Sequence, residues 1–143
     1  MSETETKLTG GCRCSRVRYE ALSKDPKSVV CGCRDCQRAS GSVLSVAIGI
    51  KTENFTITAG EGALKSYADT GDSGQPVLRF FCVECGSPLF AKPESYPVIV
   101  SLRAITLDTA FEKQPVFAVY TQNIPSWITL PTEVIEEGNK YGG

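Results

Sequence analysis

Apolar and polar residues alternate in short bursts along this chain rather than in long helical stripes. In Val17-Arg18-Tyr19-Glu20-Ala21 every second side chain is apolar, the period of a half-buried strand. Runs of similar β-branched or aromatic character recur at residues 17–22, 28–31, 43–50, 55–58, 64–68, 77–82, 89–91, 98–102 and 116–121. Turn signals separate them: Lys24-Asp25-Pro26, Ala59-Gly60-Glu61-Gly62, Gly71-Asp72-Ser73-Gly74 and Pro93. The pattern predicts a mainly β single domain, a sandwich-like packing of short antiparallel sheets. Helical periodicity is confined to two short turns, at residues 34–40 and 132–137. The domain is expected over residues 9–138, with 1–8 and 139–143 as flexible termini and the first ten or so residues frayed. Residues 71–76 read as a flexible hairpin tip or a lid.

The charge balance narrows the classes of partner. A formal net charge of −1 lacks the strongly basic footprint that phosphate-backbone binding requires, so no nucleic-acid partner is expected. The polar, acidic N-terminus has neither the basic nor the apolar region of a secretory signal. The longest apolar stretches, 43–50 and 98–102, are too short to span a bilayer. These features predict a cytoplasmic protein with no membrane partner, in a compartment where thiols stay reduced.

Seven cysteines and no histidine then become informative. An odd count leaves a thiol outside any closed disulfide set, and without histidine a zinc ion must sit on thiolates. The cysteines fall into three groups: Cys12-Arg13-Cys14, Cys31-Gly32-Cys33-Arg34-Asp35-Cys36, and Cys82-Val83-Glu84-Cys85-Gly86. The last has the form of a zinc knuckle. Cys82 and Cys85 need two more ligands for a closed tetrahedral site, and Cys12 and Cys14 can supply them. Cys31, Cys33 and Cys36 remain, and three ligands with an open fourth position is the pattern of a catalytic zinc. Two alternatives stand beside this: cysteines as small buried hydrophobes, and a second cluster that is purely structural or metal-free.

These motifs also resemble those of a known family. Gly10-Gly11-Cys12-Arg13-Cys14 with Val17-Arg18-Tyr19, Cys31-Gly32-Cys33-Arg34-Asp35-Cys36-Gln37-Arg38 with Ser40-Gly41-Ser42, and Phe81-Cys82-Val83-Glu84-Cys85-Gly86-Ser87 are similar to the glutathione-dependent formaldehyde-activating enzymes, a family that includes centromere protein V. Leu107-Asp108, Pro125-Ser126-Trp127-Ile128 and Leu130-Pro131 resemble its C-terminal segment. The resemblance implies a zinc-stabilised β-fold with two zinc ions per chain. Cys12, Cys14, Cys82 and Cys85 would hold the structural one; Cys31, Cys33 and Cys36 the catalytic one. It implies carbon–sulfur lyase chemistry, the addition of the glutathione thiol to formaldehyde. The chain departs from the family pattern at Gly32, where histidine is common, and in Ala118-Val119-Tyr120-Thr121, where another histidine often occurs.

A zinc ion on three thiolates carries about one net negative charge and suits a soft substrate thiolate. The expected partners are a small-molecule thiol or carbonyl, glutathione among them, and a homo-oligomer is possible. Candidates for proton transfer are Asp35, Tyr67, Tyr120 and solvent. Arg34 and Arg38 could offset the cluster's charge or pair with a substrate carboxylate, with Arg38 and Ser40 as thiol contacts and Gln37 and Ser42 beside them. Trp127 reads as a core residue or as the wall of a substrate pocket. The competing reading is a non-catalytic, zinc-stabilised interaction module on the same scaffold.

Overall fold

A computed structural model describes residues 5–70, 74–131 and, as backbone alone, 135–138. Alternation along the chain becomes two packed sheets. Strands β1 (Thr6–Gly11), β2 (Arg18–Ser23) and β5 (Phe55–Ala59) form an antiparallel sheet in the order β1-β2-β5. The larger sheet comprises β3 (Ser28–Cys31), β4 (Ser45–Lys51), β6 (Leu64–Thr70), β7 (Pro76–Cys82), β8 (Pro88–Pro93), β9 (Ile99–Arg103), β10 (Phe117–Val119) and β11 (Ile135–Gly138). Its eight strands run in the order β11-β10-β3-β4-β9-β8-β7-β6. One helix, α1 (Arg34–Ser40), follows β3.

The core lies between the sheets. Val17, Tyr19 and Ala21 meet Ile48, Ile50, Phe90, Val100 and Leu102, all buried. Each fully buried aliphatic side chain stabilises the fold by about 1.5–3 kcal/mol. Phe80 and Phe90 stack at 4.6 Å between ring centroids, and Phe55 of the smaller sheet meets Phe90 edge-on at 4.7 Å. The Tyr19 hydroxyl bonds the Thr106 hydroxyl at 2.6 Å, which donates to the Arg103 carbonyl at 2.8 Å. That relay fixes the end of β9 from the opposite sheet.

Register decides what the other face of the large sheet carries. Cys31 pairs with Ser45, Ala47 with Arg103, Ser101 with Ala91, Ala91 with Arg79, and Arg79 with Tyr67. Side chains two residues apart share a face. Cys31, Ser45, Arg103, Ser101, Arg79, Asp69 and Tyr67 therefore form one polar strip across the sheet, facing away from the inter-sheet core.

The mainly β architecture agrees with the sequence pattern, with three differences. Residues 6–11, expected to be frayed, form β1, because pairing with β2 satisfies their backbone from Thr6 to Gly11. Strand β10 runs parallel to both β3 and β11, so the sheets are not wholly antiparallel. The helical turn expected at 132–137 is instead strand from Ile135 onward, since pairing with β10 overrides weak local propensity. Residues 132–134, and 71–73 of the expected hairpin tip, lie outside the described residues, as do 1–4 and 139–143. No helix among the described residues is long and apolar enough to cross a membrane.

Candidate functional site

The chain brings its cysteines together in two groups. The sulfurs of Cys12, Cys14, Cys82 and Cys85 all lie within 4.8 Å of one another, as do those of Cys31, Cys33 and Cys36. In the quartet, Cys12 and Cys14 sulfurs are 3.5 Å apart and Cys14 and Cys82 sulfurs 3.8 Å. Four sulfurs at about 2.3 Å from a tetrahedral zinc would sit roughly 3.8 Å from each other, so the donor set and spacing fit that ion.

Local backbone geometry explains the quartet. In the β1–β2 turn, Cys12 N–H donates to the Val17 carbonyl at 3.1 Å and Val17 N–H donates to the Cys12 sulfur at 3.2 Å. In the β7–β8 turn, Gly86 N–H donates to the Cys82 carbonyl at 2.8 Å, with Gly86 at φ 78°, where a side chain would be strained. Ser87 accepts the Arg13 N–H at 3.0 Å and lies 3.3 Å from the Cys85 sulfur, linking the two turns. The Ser87 hydroxyl and N–H lower the Cys85 thiol to about 5. A backbone hydrogen bond at Arg16 favours ionised Cys14, but the neighbouring sulfurs outweigh it and push that thiol up to about 11.

The trio is more buried. Cys31 ends β3, Cys33 caps α1, and Cys36 lies on the helix's first turn, where its N–H donates to the Cys33 sulfur at 3.2 Å. Cys33 and Cys36 are buried against Val119 and Tyr120. The Cys31 and Cys33 thiols, against the cost of burial, lower Cys36 to about 2, with help from the charges of Arg103 and Arg79. Conversely, Cys33, Cys36 and burial push Cys31 upward. Cys31 alone would lower Cys33, but Cys36 and burial prevail and lift it to about 11. Of the three thiols, Cys36 is therefore the one whose ionised form is favoured.

Arg79 and Arg103 are site residues that the sequence reading missed. Both are buried, at 7% and 6% exposed, although arginine is almost never so unless paired. Arg79 Nε donates to the Asp69 carboxylate at 2.8 Å, and Arg103 Nη1 donates to the Ser45 hydroxyl. Burial works against the charge of Arg79, but Asp69 and Cys36 outweigh it; for Arg103 burial prevails and lowers the guanidinium despite Cys36. A lone arginine inside the apolar run Val77-Leu78-Arg79-Phe80-Phe81 was the available signal.

The other candidates separate. Gln37 donates to the carbonyls of Val43 and Asn123 at 3.1 and 3.0 Å, tying α1 to the chain after β10. Ser40 directs its hydroxyl at the Gln37 and Ser42 carbonyls and lines a cleft of about 590 Å³ beside Cys12 and Arg18. Exposed Arg38 lines a different cleft of about 300 Å³ with Arg34 and Ser42. These two thus do not converge on one opening. Asp35 is half-buried on the first turn of α1, Tyr67 is 58% exposed on the polar strip, and Tyr120 is buried against the trio. Trp127 is 77% exposed, which corrects the core assignment: it lies on a turn closed by the Ile128 N–H to the Pro125 carbonyl, outside both sheets.

Residues 7–123 match the family model described as glutathione-dependent formaldehyde-activating enzyme. The chain belongs to this family. A Penicillium rubens protein that carries that name provisionally is 26% identical over 138 residues, covering 94% of this chain and 70% of the relative. Another with the same provisional name, from Halomonas elongata, is 24% identical over 126 residues, covering 86% and 80%. The matched region of an Emericella nidulans relative is 30% identical but covers only 43% of that protein. A crystal structure of a Rhodobacter sphaeroides protein superposes with a TM-score of 0.58 at 19% identity, over 73% of this chain and 91% of that one, a likeness of fold. The two departures from the family pattern meet in space, because Gly32 N–H donates to the Val119 carbonyl at 3.0 Å.

Proposed function

We propose that this chain is a zinc-dependent carbon–sulfur lyase-type enzyme that adds a thiol to a small carbonyl or removes it, with glutathione and formaldehyde as the pair suggested by its family. The observation that carries the reading is the trio Cys31, Cys33 and Cys36, three converging sulfurs, two of them buried, with no fourth cysteine. Cys12, Cys14, Cys82 and Cys85 hold a structural zinc that joins the β1–β2 and β7–β8 turns. At the trio, zinc supplies the charge that keeps a substrate thiol ionised at neutral pH.

The protein's own part is orientation and exclusion of water. The cap of α1 sets Cys33 and Cys36, while Val119 and Tyr120 close one side. In the addition direction the thiolate sulfur attacks the carbonyl carbon, the carbon–sulfur bond forms and the carbonyl π-bond opens. The proton lost by the thiol ends on the new hydroxyl. Of the proton-transfer candidates, Tyr67 shares the sheet face of Arg79 and is open to solvent.

Zinc content and turnover test this together. Two zinc ions per chain, and loss of thiol–aldehyde addition in Cys36→Ser with near-native circular dichroism, are expected. One zinc per chain with no turnover would replace this reading by the non-catalytic interaction module. Full activity in Cys36→Ser would refute the role of the trio.

A further inference from the structure

The polar strip of the large sheet places two permanent cations behind the trio. Arg79 comes from β7 and Arg103 from β9, with β8 between them, so both side chains stand on one face. Cys31 of the trio lies on that same face, and the charges of both arginines act on Cys36. Only one carboxylate, Asp69, is bonded to this pair among the described contacts. Arg79 Nη2 is buried with no hydrogen-bond partner among the described residues. A purely structural ion pair would engage both arms of the guanidinium fork; an orphaned buried donor is destabilising. Two buried arginines on one sheet face also repel unless anions compensate them.

Charge counting gives this arrangement a purpose. A divalent ion on three thiolates carries one net negative charge. Two arginines and Asp69 together bring the ensemble to neutrality. A fourth, anionic ligand then approaches a neutral site, whereas loss of either arginine would make it approach a negative one.

We propose that Arg79 and Arg103 are positioning residues which, acting through Cys36, let the trio accept an anionic sulfur ligand in its open position. This rests on the reading of the trio as a thiol-handling metal site and adds what makes its charge suit a thiolate. Asp69 opposes them, so its removal should have the reverse effect.

The test uses cobalt-substituted full-length protein, titrated with glutathione and with 2-mercaptoethanol while the sulfur-to-cobalt charge-transfer band is followed. Arg79→Met and Arg103→Met are expected to weaken thiol binding by roughly 10–100-fold, the range seen when groups supporting metal ligands are removed. Arg79→Lys should recover most of the loss, and Asp69→Asn should tighten binding. Metal affinity, by chelator competition, and circular dichroism are recorded for each variant. Should Arg79→Met not fold, the contrast between Arg79→Lys and Asp69→Asn decides. Weaker binding in Asp69→Asn, or wild-type binding in both methionine variants, overturns the inference while leaving the trio as a thiol site. A wild-type protein whose cobalt spectrum ignores thiols overturns the proposed function and this inference with it.

Discussion

Gly32 sits between two trio cysteines, and the space around it is already filled. A Cβ at this position would lie 2.5 Å from Ile124 Cγ1, 3.0 Å from Ile124 Cδ1 and 2.9 Å from the Tyr120 carbonyl oxygen. Gly32→Ala therefore pushes on a branched side chain and on backbone at once. Overpacking of this kind costs about 1–3 kcal/mol. For a chain near this size that corresponds to a melting temperature roughly 2–10 °C lower. Ile124→Ala removes the two side-chain contacts but not the carbonyl one. The double variant should recover at least about 1 kcal/mol relative to the sum of the single effects, as expected for residues that collide. Urea unfolding of the zinc-loaded wild type, both single variants and the double variant measures this coupling. Additivity within about 0.5 kcal/mol would refute the packing argument. The same logic covers the histidine that the family commonly carries here: Gly32→His needs a smaller residue at 124.

Two further outcomes follow from the titrating groups. Hydrogen bonds from Arg18 and Thr9 hold Asp108 at about 2, below the ordinary carboxylate value of about 4. Its stabilising contribution is complete above about pH 4 and is lost as pH falls through about 2. Asp108→Asn should thus be less stable than wild type at pH 7, with the gap closing by about pH 2 in urea melts; a constant gap across that window would refute the assignment. Among the trio thiols Cys36 is lowered while Cys31 and Cys33 are raised. Zinc binding there should release protons mainly from Cys31 and Cys33, measured by calorimetry in buffers of different ionisation heat; a full third proton from Cys36 at neutral pH would contradict the lowering of that thiol.

Most strands were legible because burial on one face leaves a period-two record, as in Val17 to Ala21 opposite Ile48 and Ile50. The cysteine groups were legible because metal sites impose tight local spacing. Arg79 and Arg103 were not, because their meaning depends on register across β7, β8 and β9, which no local window contains. Thr6 to Gly10 and Ile135 to Gly138 carry weak patterns and owe their strand form to long-range partners, β2 and β10. Trp127 misled for another reason: size and apolarity favour burial, but it stands exposed on the turn that Pro125 opens.

The quartet's sulfurs come from distant parts of the chain, Cys14 and Cys82 being 68 positions apart, whereas the last sulfur of the trio is at Cys36. Synthesis at about 5–20 residues per second leaves a wait of roughly 2–10 s between the two. During that wait all three trio sulfurs are already in the chain, but Val119 and Tyr120, against which Cys33 and Cys36 are buried, are not. The quartet therefore gains its last ligand, Cys85, before the trio gains its walls at residues 119 and 120, although the trio's sulfurs come first in the chain.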